Sequence, residues 1–319
     1  MNSSREHRIS VICPARNEEG NLPELMGEFR KLFSSLGYEY EVVVVDDAST
    51  DGTPQALEKL KKEYKFLKTG RNRVRAGKAG GIVTGLGLAS GDIVVIFDAD
   101  LQYLPEDIPS LVQAVIEDGK DIVSGWRQGL YEKSALAKVY NWLLRALFDS
   151  PLHDSGATLA LRREVIDRMA LHEEWHRFII PFALANGYTV GERKIRLYPR
   201  RHGQSNYRSK RRLLIGLLDL ISVKMFLTFG RKPMLYFGNV GIVLLVAGTF
   251  FAVLYAIDKL TPQIFIPWRL GITPTTFLII SGLFFIFGGF MGEMLLDLKI
   301  LLERILRESE KRKSDAGKS

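Results

Sequence analysis

The chain has one cysteine, Cys13, in 319 residues. That excludes an internal disulfide and any cysteine-based metal cluster, and it fits a reducing compartment. The first ten residues are polar and charged, so a secretory signal is not expected. No internal repeat is evident. The glycine-rich stretch Arg75-Ala76-Gly77-Lys78-Ala79-Gly80-Gly81 lacks the Walker pattern: Asn72 stands where the first glycine is required, and Ala79 replaces Ser or Thr. It also lacks Gly-x-Gly-x-x-Gly. These glycines are expected to allow close helix–sheet packing. Lys78 is expected to be solvated, within approach of a bound diphosphate.

Acidic residues are the minority, 36 against 44 basic ones, for a formal net charge of +8. Such a balance favours anionic partners. Twelve Lys or Arg fall within residues 193–232, directly before a long uncharged stretch. That order points to a membrane surface rather than to nucleic acid.

Up to about residue 200, short apolar runs alternate with helical patterns. Strands are expected at residues 9–13, 41–45, 66–69, 93–97 and 121–124. Helices are expected at 21–36, 54–64, 76–89 and 105–117. Pro54 and Pro105 suit a helix's first turn, and Thr53 suits an N-cap. The alternation predicts an α/β fold with a mostly parallel sheet, whose ligands bind beyond the carboxyl ends of the strands. Polar residues collect there: 14–18, Asp46-Asp47 and 98–102.

The run 93–97 has no polar alternation, so it reads as a strand buried on both faces. It ends in Asp98-Ala99-Asp100, followed by Leu101-Gln102. Two carboxylates at the rim of a core repel one another and are costly unpaired. A divalent cation removes both costs. If the chain stays extended, residues 98, 100 and 102 project to one side. Three oxygen-bearing side chains there suit Mg²⁺ or Mn²⁺ holding a diphosphate.

Residues 235–257 and 272–292 carry no charge. A bilayer core needs about 20 helical residues, so each run is long enough to span. The expected organisation is a cytoplasmic catalytic domain over 1–212, an interfacial amphipathic helix over 213–232, two transmembrane helices (about 235–257 and 272–298), and a basic tail over 300–319. Basic residues flank the outer ends of both spans. By the positive-inside rule, both termini and the catalytic domain face the cytoplasm.

Together, Ile12-Cys13-Pro14-Ala15-Arg16-Asn17-Glu18, Val44-Val45-Asp46-Asp47-Ala48-Ser49-Thr50-Asp51-Gly52-Thr53, Asp98-Ala99-Asp100-Leu101-Gln102, Ser124-Gly125-Trp126-Arg127 and Arg200-Arg201-His202-Gly203-Gln204-Ser205 resemble glycosyltransferase family 2. The resemblance is to the branch that makes polyprenyl-phosphate sugars, and it covers about residues 8–300. It implies a GT-A type, Rossmann-like nucleotide-sugar domain and an integral-membrane enzyme, with a role in cell-wall or glycan biosynthesis. The implied donor-binding residues are Pro14, Arg16, Glu18, Val44, Asp46, Asp98, Ala99, Asp100 and Gln102. Asp46 would accept hydrogen bonds from the base, and Asp98, Asp100 and Gln102 would hold Mg²⁺ or Mn²⁺ on the diphosphate. Arg127, Arg200 and Ser205 would serve the acceptor phosphate, and Asp100, Arg127 and Asp154 form the catalytic set.

The implied reaction is inverting transfer of a single hexose from UDP-glucose or GDP-mannose to a polyprenyl phosphate, by a monomer or an oligomer. Members often have an aromatic residue in place of Arg16 and a lysine in place of Asn206. The Gln-x-x-Arg-Trp of processive synthases is absent, which favours one transfer over polymerisation. Three alternatives are weighed, one of them a non-catalytic membrane scaffold with a degenerate site, against which the intact Asp98, Asp100, Gln102, Arg127 and Arg200 argue. A lipid or glycan hydroxyl acceptor would need Asp154 as base. A zinc hydrolase would use His172 and His176, which match His-Glu-x-x-His but lack an evident third ligand.

Overall fold

The computed structural model describes residues 7–34, 38–128, 135–154, 158–169, 178–199, 210–230, 232–261 and 268–316. The chain divides into two compact units, Met1–Leu220 and Ile221–Ser319.

In the first unit, β1 (Arg8–Ala15), α1 (Leu22–Ser34), β2 (Glu39–Asp47), α2 (Thr53–Glu63), β3 (Leu67–Asn72), α3 (Gly77–Leu88) and β4 (Ile93–Ile96) alternate. A 3₁₀ turn (Pro105–Asp107) leads into α4 (Ile108–Ile116) and β5 (Ile122–Gln128). Next come α5 (Ala135–Phe148), β6 (Leu159–Arg162), α6 (Arg163–Asp167), α7 (Ile179–Ala185) and β7 (Val190–Arg196). The strands form one sheet in the order β3-β2-β1-β4-β6-β5-β7. Among the described residues only β6 runs antiparallel to its neighbours; the other pairings are parallel. The expected α/β class with a mostly parallel sheet is therefore observed.

The core lies on both faces of the sheet. Along β1, Ile9, Val11 and Cys13 pack with Leu25, Phe29 and Leu57 on one face. Ile12 joins Val43, Val45 and Ile82 on the other. Each fully buried aliphatic side chain contributes roughly 1.5–3 kcal/mol. Two-sided burial explains why these strands read as unbroken apolar runs. Gly81 lets α3 approach β1: a Cβ there would lie 2.9 Å from Pro14 Cβ.

Three details correct the sequence reading. Strands β6 and β7 were not expected. Thr53 is not an N-cap. Gly52 holds that position without a side-chain cap bond, the Thr53 amide donates to Asp51 Oδ1 at 3.0 Å, and the Thr53 hydroxyl accepts from Glu18 N at 2.9 Å. β4 ends at Ile96, and the chain bends before residue 102 because Leu101 turns left-handed, with φ 56°.

The sheet winds from β1 through β2 to β3, then crosses back to β4 on the far side of β1. The carboxyl ends of β1, β2 and β4 thus flank a reversal of strand order, where open α/β sheets bind ligands.

Helix α8 (Lys210–Phe229) leads into the second unit, which holds α9 (Pro233–Leu260) and α10 (Trp268–Ala316). Segments Pro233–Leu260 and Gly271–Leu302 are long and apolar enough to cross a membrane. Only 11% of the most apolar window of each is buried, unlike a soluble core helix. The two helices touch backbone to backbone. A Cβ on Gly241 would lie 2.7 Å from Gly282 O, and one on Gly282 would lie 2.8 Å from Gly241 O. Such close approach is how apolar spans associate without a hydrophobic drive.

Candidate active site

Among the described residues, four non-glycine positions have positive φ. Three of them follow the ends of β1, β2 and β4: Asn17 at 57°, Ala48 at 52° and Leu101 at 56°. Left-handed backbone costs roughly 1–2 kcal/mol per residue, and it clusters where surrounding contacts over-determine a functional rim. The contacts are present. Asn17 N donates to Ser49 Oγ at 2.9 Å, and Thr50 N donates to Asn17 Oδ1 at 2.9 Å. Arg16 Nη1 donates to Asp47 O at 3.3 Å. The loops after β1 and β2 are therefore laced together.

Asp46 is the penultimate residue of β2 and is 1% exposed. Its Oδ1 accepts from Ser49 N at 3.0 Å. Its Oδ2 lies 3.1 Å from Arg71 Nε, but the pair is not aligned as a hydrogen bond, so this buried oxygen has no hydrogen-bond donor. An open acceptor on a buried carboxylate is costly without a ligand.

The neighbouring Asp47 is fully used. It accepts from Asn72 Nδ2 at 2.9 Å, Ala76 N at 2.8 Å and Gly77 N at 2.9 Å. It thereby ties the start of α3 to β2. Sequence reasoning noted Asp47 only as a polar rim residue. Its signal was adjacency to Asp46 above a glycine-containing loop.

Beyond β4, burial alternates. Phe97, Ala99, Leu101 and Tyr103 are buried, while Asp98, Asp100 and Gln102 are half-exposed. One-sidedness therefore survives although the extended backbone assumed for it does not. Gln102 N donates to Asp100 Oδ1 at 3.2 Å, and Tyr198 N donates to Gln102 O at 2.9 Å. Lys78 Nζ is ion-paired with Asp98, so Lys78 is not the solvated lysine expected from sequence. Among the described residues no group of three His, Cys, Asp or Glu is placed to hold a metal ion. The donor set at 98–102 is two carboxylates and one carboxamide. That fits a hard divalent ion whose remaining ligands are phosphate oxygens and water.

Arg127 and Asp154 form a fork. Arg127 Nε donates to Asp154 Oδ2 at 2.6 Å and Nη2 to Asp154 Oδ1 at 2.7 Å. Asp154 is 0% exposed, and its carbonyl accepts from Ser124 Oγ at 2.7 Å. Burial works against the Arg127 charge, but hydrogen bonds to Asp154 and Tyr103 outweigh it and hold the guanidinium above its ordinary pKa. Burial likewise pushes the Tyr103 phenol up. Tyr103 was missed from sequence because a lone tyrosine after an acidic loop carries no motif.

Other expected residues sit differently. Val44 and Ala99 are buried in the core, so their side chains pack rather than line the rim. Pro14 lies at the end of β1 against α3. Glu18 lies in the turn before α1, where its carbonyl accepts from Leu22 N at 3.1 Å and its Oε2 accepts from Asn21 Nδ2 at 2.5 Å. Burial raises the Cys13 thiol far above its ordinary value, so it stays a packed neutral side chain. Arg200, Ser205, His172 and His176 lie outside the described residues.

Comparison with known proteins identifies the family and the fold. The model of "Glycosyl transferase family 2" matches residues 10–168. An undecaprenyl-phosphate 4-deoxy-4-formamido-L-arabinose transferase of Proteus mirabilis is 32% identical over 260 residues, covering 80% of this chain and 77% of that protein. A dodecaprenyl-phosphate galacturonate synthase of Rhizobium johnstonii is 29% identical over 242 residues, covering 73% of this chain and 71% of that one. Among solved structures, glucosyl-3-phosphoglycerate synthase of Mycobacterium tuberculosis, in complex with Mn²⁺, UDP and glucosyl-3-phosphoglycerate, has a similar fold. Its TM-score is 0.55 at 21% identity, over 68% of this chain and 81% of that one. With its rim of aspartates on a GT-A-like sheet and two apolar helices in its second unit, the chain belongs to glycosyltransferase family 2, among the glycosyltransferases of its polyprenyl-phosphate branch.

Proposed function

We propose that this enzyme transfers one glycosyl residue from a nucleoside-diphosphate sugar to a polyprenyl phosphate at the cytoplasmic membrane face, with inversion. The observation that carries the reading is the Lys78–Asp98 pair between α3 and the loop after β4, in a chain with two apolar helices. Asp46 Oδ2 is a buried acceptor suited to a nucleobase N–H. Asp98, Asp100 and Gln102 would hold Mg²⁺ or Mn²⁺. A bound divalent ion supplies Lewis-acid stabilisation of the departing diphosphate.

The acceptor phosphate has a second pKa of about 6, so it needs no strong base. It needs cationic placement instead, and the Arg127 guanidinium, aimed by Asp154, supplies it. Both Asp154 oxygens face that guanidinium. This favours a positioning role over the base role that a hydroxyl acceptor would require. The prenyl chain stays in the bilayer, at about 0.8 kcal/mol per buried CH₂, so the enzyme carries its own anchor. Helix α8 is read as the interfacial element beside it.

The test is incubation of membranes containing the enzyme with polyprenyl phosphate, Mn²⁺ and labelled donors. UDP-glucose and GDP-mannose, the donors expected from sequence, are compared with nucleotide-linked galacturonate and formamido-arabinose, the sugars in the relatives' names. An acid-labile, lipid-extractable sugar is expected with one of them. Transfer to a prenol hydroxyl but not to the phosphate would overturn the reading.

A further inference from the structure

We propose that Lys78 is a built-in counter-cation that occupies Asp98 until a divalent ion replaces it. Metal affinity is then held down until a diphosphate arrives to take the lysine. The proposal rests on the donor-site reading above and adds an order of events to it.

Lys78 Nζ pairs with Asp98 Oδ1, joining the first turn of α3 to the end of β4. Both side chains are about one-third exposed, at 29% and 32%. The base of the lysine is fixed. Ala76 N and Gly77 N both donate to the Asp47 carboxylate, and Gly77 adopts φ 71° to permit it. Asp47 is itself 4% exposed at the end of β2. The backbone is therefore anchored, while the four-carbon stem keeps the freedom to swing.

An ammonium supplies charge at Asp98 but no coordination. Mg²⁺ and Mn²⁺ take several oxygen ligands, and Asp100 and Gln102 stand on the same half-exposed side. A metal ion arriving alone must therefore displace Lys78 and leave it without its carboxylate. A metal ion arriving with a nucleoside diphosphate does not, because the phosphate oxygens receive the ammonium as the carboxylate receives the metal. Two cations exchange partners, and no charge is left unpaired. By linkage, the nucleotide then tightens metal binding and the metal tightens nucleotide binding by the same factor.

The experiment is an Mn²⁺ titration of the full-length protein in detergent without nucleotide, read from the paramagnetic resonance signal of free Mn²⁺. Wild type, Lys78→Gln, Lys78→Arg, Asp98→Asn and the Lys78→Gln/Asp98→Asn double variant are compared, with melting curves as a check on folding. Lys78→Gln is expected to bind Mn²⁺ about fivefold more tightly, the upper end for a pair this exposed. Lys78→Arg should stay near wild type, and Lys78→Gln should bring no gain in the Asp98→Asn background. Adding UDP should then tighten Mn²⁺ binding more in wild type than in Lys78→Gln. Unchanged or weaker Mn²⁺ binding by Lys78→Gln, with binding still lost in Asp98→Asn, overturns the lysine's role alone. Unchanged Mn²⁺ binding in Asp98→Asn overturns the metal reading and the proposal with it.

Discussion

Replacing Asp154 by asparagine separates its two roles. The side chain is fully buried, Arg127 is 28% exposed, and two bonds of 2.6 and 2.7 Å join them. Removing one partner of a buried pair costs roughly 3–5 kcal/mol, because the other charge is left uncompensated. Partial exposure of Arg127 places this case at the low end, at about 3 kcal/mol. For a unit of this size, each kcal/mol lowers Tm by roughly 2–4 °C, so a fall of about 6–12 °C is expected by calorimetry in detergent. Arg127→Met combined with Asp154→Leu should recover most of that loss, since a packed apolar replacement of a buried pair is often neutral. In transfer assays Asp154→Asn should lower kcat/KM about tenfold by misaiming Arg127, while the acidic limb of the pH profile persists. A catalytic base would take that limb with it. A Tm within 2 °C of wild type would refute the reasoning, as would loss of the acidic limb.

Glu41 is 2% exposed and accepts from Ser10 Oγ, Ser90 N and Ser90 Oγ, with Lys68 Nζ at 2.7 Å. Burial alone would raise its pKa, but Lys68 and the serines outweigh it and lower it from 4.5 to about 2. The resulting stabilisation, about 3 kcal/mol, is fully present above pH 4.5 and lost as pH falls towards 2. Urea unfolding across that window should show it, and Glu41→Gln should flatten the dependence. Gly81→Ala should cost roughly 1–3 kcal/mol by overpacking, since the new Cβ meets Pro14 Cβ at 2.9 Å. It should also weaken nucleotide binding measured by calorimetry, because α3 carries Lys78.

Much of the fold was legible because two-sided burial writes long apolar runs. β1, β2 and β5 extend the expected segments by a few residues into their polar ends, and α1 to α4 fall where helical periodicity placed them. β6 was not legible: Leu159–Arg162 is four residues, too short to show a period. β7 carries Glu192, Arg193, Lys194 and Arg196 on an edge strand, so its sequence reads as a charged loop.

At the site, motif positions named the right rim but not who pairs with whom. The Lys78–Asp98 and Arg127–Asp154 pairs join residues 20 and 27 apart, and such contacts follow from topology rather than spacing. The extended chain assumed for 98–102 failed at Leu101, whose left-handed backbone is held by its burial in the core. Nothing in a leucine's chemistry announces that conformation.

The most direct measurement is sugar transfer to polyprenyl phosphate by chelator-stripped enzyme, with Mn²⁺ restored or withheld, for wild type and Asp100→Asn. The stripped wild type should be inert and regain activity with Mn²⁺. Asp100→Asn should remain at least a hundredfold slower, the scale of losing one preorganised charge-stabilising contact. Full turnover in the chelator, or wild-type kcat/KM in Asp100→Asn, would contradict the account.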